Sequence, residues 1–174
     1  MLKPPPWVDG EAELVRRAAA SGVRILGSCF GHQMLVRALS GPECIARAAH
    51  PEVGWTPLEI VADDELLRGV PNPWTVFSFH FDEVVDAPAP WRVLARSRDC
   101  ATQILRYGDR PIWGIQAHPE ISRRTAEFAT RAYLLLACHR GGVPRATLRC
   151  PPADDQAFFA LVSRFVGADA AWSG

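Results

Sequence analysis

The chain is predicted to fold as a three-layer α/β domain with a mixed central sheet, spanning residues 1–174 as one unit. Three observations carry this. Helix-like segments flank a run of short apolar stretches at both ends. An apolar run meets a helix-like one at a sharp, glycine-flanked corner. Late in the chain, two apolar runs are joined by "YGDR", a hairpin signal.

Glu11 to Ala20 is read as the first helix, since Leu14, Val15 and Ala18 share a face. Gly22 ends it, and "RILGS" opens a short strand expected to be buried. Gly31 to Leu39 is the next helix, with Met34, Leu35, Ala38 and Leu39 inward and Gly41-Pro42 as the stop. Five β-like runs follow, at 56–61, 74–80, 92–97, 101–107 and 111–116. Two more helices are expected, Ser122 to Cys138 and Asp154 to Val166, the second opening on an Asp cap in "ADDQAFF". The Pro-rich start and "RCPPADD" read as connectors, and there is no repeat or low-complexity segment.

Composition excludes several classes. Nineteen basic residues balance nineteen acidic ones, which argues against a nucleic-acid footprint or a membrane-surface protein. No apolar run reaches membrane-spanning length, and "MLKPPPWVDG" has three prolines where a signal peptide has its apolar core. A soluble, cytoplasmic protein is expected. The five cysteines (29, 44, 100, 138 and 150) form an odd set without a CxxC pair, which suits neither a zinc site nor a disulfide framework. Cys44, Cys100, Cys138 and Cys150 are read as ordinary buried or half-buried thiols.

Cys29 differs. In "RILGSCFGHQM" it occupies a strand–GxCxG–helix corner, the thiol version of a nucleophile elbow. Flanking glycines let strand and helix approach closely, and the helix N-terminus faces the sulfur and favours thiolate. The Phe30 N–H is placed to meet a developing oxyanion. Taken alone, the corner could equally be a buried Cys in a glycine turn. A base comes from "WGIQAHPEI": His118 follows an apolar run expected to end at the same sheet edge, and Pro119 keeps the chain extended there. Glu120, two residues on, then projects to the same side and can orient the imidazole. The alternative for HPE by itself is a polar helix start. Among the other histidines, His32 lies in the elbow helix, His80 closes a strand and could line a pocket, and His50 and His139 are surface or boundary positions. Asp63-Asp64 and Asp154-Asp155 are read as helix starts without chemistry.

"GSCFGHQ", "FHFDEV" and "GIQAHPE", in this order and spacing, resemble the class I (triad-type) glutamine amidotransferases, and within them the stand-alone members similar to the amidotransferase domain of GMP synthase. The resemblance is strong over Val15 to Ile121 and implies a flavodoxin-like fold. It implies Cys29 as nucleophile, His118 as general base and acid, and Glu120 as its partner. It further implies Gln33 as a contact to substrate glutamine, with the backbone at Phe81 and Asp82 holding the substrate's α-groups. The implied reaction hydrolyses the γ-amide of L-glutamine, or of another γ-glutamyl compound, through a cysteinyl thioester, with no metal or cofactor. Ammonia would pass to a separate synthetase subunit.

Two departures are visible. Phe81 stands where the family usually has a small residue. Nothing before Cys29 resembles the glycine-rich turn that supplies the family's second oxyanion N–H, so the N-terminal strands are expected to be missing, by a late assigned start, a gene truncation or divergence. Two further readings therefore stand beside the amidotransferase: a γ-glutamyl hydrolase or peptidase with the same triad, and a truncated, catalytically weak binding subunit.

Overall fold

The computed structural model describes residues 5–139, 146–147 and 155–167. The chain opens with α1 (Trp7–Ala20), β1 (Ile25–Ser28) and α2 (Phe30–Ser40). It continues through β2 (Ile45–Ile60), β3 (Trp74–Val84), β4 (Trp91–Arg96), β5 (Ile104–Tyr107) and β6 (Ile112–Ile115). Helix α3 (Arg123–His139), the short β7 (Ala146–Thr147) and α4 (Asp155–Val166) complete it. The Asp154 cap, Cys150 and the side chains of Cys138 and His139 lie outside the described residues.

The sheet order is β1-β6-β5-β4-β2-β3, with β7 pairing on β2. Among the described strands only β1/β6 and β2/β7 are parallel, so the sheet is mixed as expected. The turn after Tyr107 closes the β5–β6 hairpin, with the Arg110 N–H donating to the Tyr107 carbonyl at 3.1 Å. Alternation along the strands feeds two cores. Ile104 and Trp113 pack with Leu58, Leu94 and Ile115 beneath Ala157 and Leu161 of α4. Their neighbours Leu105 and Ile112 face the other way, onto Ala19 of α1 and Leu35 and Val36 of α2. Helices thus cover both faces of the β4–β6 region, the three-layer arrangement expected from apolar runs with opposite-facing neighbours.

The sequence reading missed three features. Helix α1 starts at Trp7, four residues before Glu11, because Pro6 already has a helical backbone (φ −56°) and Asp9 adds an acid to the first turn. Strand β2 runs from Ile45, well before residue 56, and its polar first half is held by pairing with β3 rather than by apolar alternation. Its register slips between Arg47 and Glu52, so that four residues face the single Phe81 on β3. Strand β1, expected to be buried, is only half-buried at Ile25 and Leu26, since it ends the sheet and has a neighbour on one side among the described residues.

Two other readings agree with the structure. Asp64 accepts the Leu66 N–H (3.0 Å) and so caps a single turn of 3-10 helix, Glu65–Leu67. Its fully buried carboxylate also takes Trp113 Nε1–H at 3.0 Å and Arg106 at 2.8 Å, which ties that turn to β5 and β6. Cys44 and Cys100 are buried, and burial pushes the Cys100 thiol up to about 12, which makes it unreactive.

The corner between β1 and α2 depends on Gly27. A Cβ there would lie 2.5 Å from the Gly31 backbone and 2.8 Å from Leu35 Cδ1, whereas a Cβ on Gly31 meets nothing within 4 Å. Of the two flanking glycines, only Gly27 is required by space. Gly27→Ala should therefore destabilise the protein by about 1–3 kcal/mol, the usual range for overpacking, read as a lower Tm. Gly31→Ala should leave the Tm nearly unchanged. Equal effects of the two would contradict this account of the corner.

Candidate active site

The parallel register of β1 on β6 pairs Ser28 with Ile115, so both strands end at one edge of the sheet. Cys29 follows Ser28 and donates its backbone N–H to the Ile115 carbonyl at 2.8 Å. Its backbone is forced into φ 48°, ψ −102°, the only positive φ at a non-glycine among the described residues. Such a conformation costs about 1–3 kcal/mol and persists only where packing holds it. The first i→i−4 bond of α2 runs from the Gln33 N–H to the Cys29 carbonyl (3.2 Å), so the Phe30 and Gly31 N–H groups precede it at the positive end of the helix.

On the neighbouring strand the chain leaves β6 and His118 forms a bridge to Phe77, its N–H donating to the Phe77 carbonyl at 2.7 Å. The chain then turns, closed by the Ile121 N–H on the His118 carbonyl (3.2 Å). Glu120 thus reaches His118 around a turn and not along an extended strand as the sequence reading supposed. Pro119 stops helix but does not stop a tight turn. His118 Nδ1 lies 2.7 Å from Glu120 Oε1, and the ring is close enough to Cys29 for the sulfur to raise its proton affinity. With Nδ1 engaged by the carboxylate, Nε2 is the nitrogen left for the sulfur. Ser28 Oγ–H donates to the same carboxylate oxygen at 3.3 Å. The structure brings Cys29, His118 and Glu120 together.

The electrostatics are those of a charged pair. The hydrogen bond with Cys29, then that with Glu120, raise the His118 imidazolium from 6.5 to about 9, against the opposing effect of burial. Burial pushes the Glu120 carboxyl up, but the bonds it accepts from His118, the backbone and Ser28 together bring it below its ordinary value.

The residues assigned to substrate also converge. Gln33 is buried, and its Nε2 donates to the Asp82 carbonyl (2.7 Å) and to Gln116 Oε1 (3.1 Å). Cys29 Sγ lies 4.0 Å from the Phe79 carbonyl on the same β3 segment. Phe81 packs edge-on against Phe79 (5.7 Å between ring centroids) and tilted against Tyr133 of α3 (5.6 Å), with the Arg47 guanidinium 5.4 Å from the Phe81 ring centre. Arg47 also reaches Asp82 Oδ1 at 3.4 Å.

Sequence reasoning missed Ser28, Gln116 and a buried network around Glu52. Both ring nitrogens of His80 face acceptors: Glu52 Oε2 at 2.8 Å and the Asp82 carbonyl at 3.2 Å. Glu52 also accepts from Ser97 Oγ–H (2.6 Å) and from Gln103 Nε2. His80 and Glu52 therefore hold the turn of β3 that carries Asp82. The alternation of β6 and its continuation could have flagged Gln116, two residues before His118, but nothing local links Glu52 to His80. His32 is fully buried against Gly114 and Thr102 with no hydrogen bond of ordinary geometry at either ring nitrogen, and burial lowers it to about 4, so it is neutral. His50 is exposed. A separate cleft of about 840 Å³ lies beside Asp63, Asp64, Arg92 and Arg106, where Asp64 is already neutralised by the two arginines.

Residues 3–131 match the family model for glutamine amidotransferase class-I. A glutamine-hydrolysing GMP synthase subunit from Pyrococcus abyssi is 36% identical over 100 residues, 58% of this chain and 52% of that protein. Its counterpart from Methanococcus aeolicus is 33% identical over 117 residues, 67% of this chain and 61% of that protein. The chain thus spans 52% to 61% of the length of these relatives. Among solved structures, a glutamine amidotransferase from Thermotoga maritima superposes with a TM-score of 0.75 at 26% identity, covering 92% of this chain and 70% of that one.

Because Cys29 contributes most to the raised proton affinity of His118, Cys29→Ser should lower the His118 midpoint in an NMR titration from about 9 more than Glu120→Gln does. The sign also fixes stability against pH. The protonated ring contributes in full below 6.5 and its contribution is lost as pH rises through about 9, so the wild-type Tm should fall across that window more than that of Cys29→Ser. A midpoint left at its wild-type value in Cys29→Ser would contradict the pairing.

Proposed function

The chain belongs to the class I glutamine amidotransferase family, and from that premise we propose that it hydrolyses the γ-amide of L-glutamine, with Cys29 as nucleophile, His118 as proton carrier and Glu120 as its partner. The observation that supports this reading is the His118 ring, 2.7 Å from Glu120 on one side and drawn toward its protonated form by the strained Cys29.

The cycle follows from the geometry. In the proposed cycle the Cys29 proton passes to His118 as the sulfur attacks the γ-carbonyl carbon, forming a C–S bond and a tetrahedral oxyanion. The Phe30 N–H, at the positive end of α2, stabilises that oxyanion. His118 gives its proton to the departing nitrogen as the C–N bond breaks, and ammonia leaves a glutamyl thioester. Water then attacks the thioester carbonyl, His118 takes its proton, and breaking of the C–S bond releases glutamate and frees Cys29. Glu120 keeps Nδ1 protonated throughout and so holds Nε2 toward the reacting atoms.

Gln33, Phe81 and Asp82 form the proposed substrate contact. Since the Gln33 amide nitrogen is committed to Asp82 and Gln116, its role toward substrate runs through the amide oxygen. Ammonia is proposed to pass to a separate synthetase subunit. One observation favours a second reading, a γ-glutamyl hydrolase: the Phe81 ring, backed by Tyr133 and Arg47, forms an apolar wall with a cation at its face where the family usually has a small residue.

A glutamine-mimicking diazo-ketone should label Cys29 ahead of Cys44 and Cys100, and His118→Ala should slow that labelling. Cys29→Ser should abolish ammonia release, since a hydroxyl ionises too weakly in a site arranged for a thiolate. Equal labelling of the cysteines, unaffected by loss of His118, would overturn the proposal. Faster turnover of a γ-glutamyl peptide than of glutamine would select the second reading.

A further inference from the structure

We propose that Gln116 is a catalytic hydrogen-bond donor to Cys29, its side-chain amide holding the reacting sulfur while His118 carries the proton. The inference rests on the reading of Cys29 as the reactive thiol and adds a residue to it.

A chain of atom assignments leads to this role. Gln33 Nε2 lies 2.7 Å from the Asp82 carbonyl oxygen, which only accepts, so the Gln33 atom there must be the NH2 group. The same NH2 lies 3.1 Å from the side-chain amide of Gln116, so the atom it meets is the Gln116 oxygen. The remaining arm of Gln116, its NH2, is therefore the group 3.7 Å from Cys29 Sγ, a normal distance for a bond to sulfur. A backbone carbonyl thus fixes the direction of the whole relay, from Asp82 through Gln33 and Gln116 to the sulfur. A flip of Gln116 alone would set its oxygen against the sulfur and its NH2 against that of Gln33.

Two further features favour a donor's role over mere packing. Gln116 is fully buried, so its NH2 acts in a site away from water, where a bond to an anion is strongest. Its backbone is pinned independently by its N–H on the Gln103 carbonyl at 2.8 Å. The side chain is thus preorganised before any substrate arrives, as an electrostatic catalyst must be. Of the titratable groups, His118 interacts with Cys29 and Glu120 with His118. On β3, His80 follows Phe79 but turns its ring to Glu52.

The test is the iodoacetamide alkylation rate of Cys29 against pH, read by peptide mapping, in wild type, Gln116→Met and Gln116→Glu. A hydrogen bond to a charged group is worth about tenfold or more in an equilibrium, so in Gln116→Met the midpoint of the profile should rise by about one pH unit. A more basic thiolate is a better nucleophile, so the limiting rate at high pH should rise about threefold while the rate below the midpoint falls about fourfold. Gln116→Glu, which keeps the shape and the bond from Gln33 but has no donor, should show the same crossing with a larger midpoint shift. Profiles that keep the wild-type midpoint in both variants would overturn the role of Gln116. Wild-type Cys29 alkylating no faster than Cys44 and Cys100 would instead overturn the nucleophile reading beneath it. Should thermal melts show either variant unfolded, the Gln116 side-chain amide resonances in wild type should shift on alkylation of Cys29, and their staying in place would equally overturn the proposal.

Discussion

Four residue pairs in parallel register, Ile25 to Ser28 on Ile112 to Ile115, decide where Cys29, Gln116 and His118 of the candidate site lie. Two parallel strands ending together present their following residues at one sheet edge, where open α/β folds place their ligands. Cys29 comes from one strand, and Gln116 and His118 come from the other. A shift of one residue would turn Gln116 and His118 to the opposite face, since strand side chains alternate. Gly27, whose missing Cβ lets β1 approach α2, lies two residues before the unusual backbone of Cys29.

Two histidines show how far local environment controls charge. His32, buried among apolar groups and backbone, is held neutral with a value near 4. His118, less buried and flanked by a thiol and a carboxylate, is raised to about 9. The difference arises because desolvation penalises the imidazolium, whereas a nearby anion repays more than that penalty. The His32 ring packs tightly against Gly114: a Cβ on Gly114 would lie 2.4 Å from it.

The β3 segment from Phe79 to Asp82 is supported from behind by His80 on Glu52, itself bonded by Ser97 and Gln103. A buried polar network of this kind is stable only when its partners are all present, so it resists partial loss. It presents the Asp82 carbonyl, to which both Gln33 and His80 donate, and on the other side it carries the Phe81 ring toward Tyr133 and Arg47. One turn of strand therefore positions the polar relay to Cys29 and also the apolar wall beside it.

That Cys29, His118 and Glu120 lie close together was legible in the sequence because each is marked locally. A side chain at a tight strand-to-helix corner needs a small residue beside it, and HPE places a carboxylate two residues from an imidazole whether the chain is extended or turned. The α/β class was legible for the same reason, since periods of two and 3.6 are properties of short segments. The rest required the tertiary structure. The first half of β2 has little apolar alternation, and only its partner β3 shows it to be a strand. The pairing of Glu52 with His80, and of Gln33 with Gln116, joins residues 28 and 83 positions apart. Such contacts depend on which strands are neighbours and in what register, and that is decided by packing over the whole domain, which no local pattern encodes.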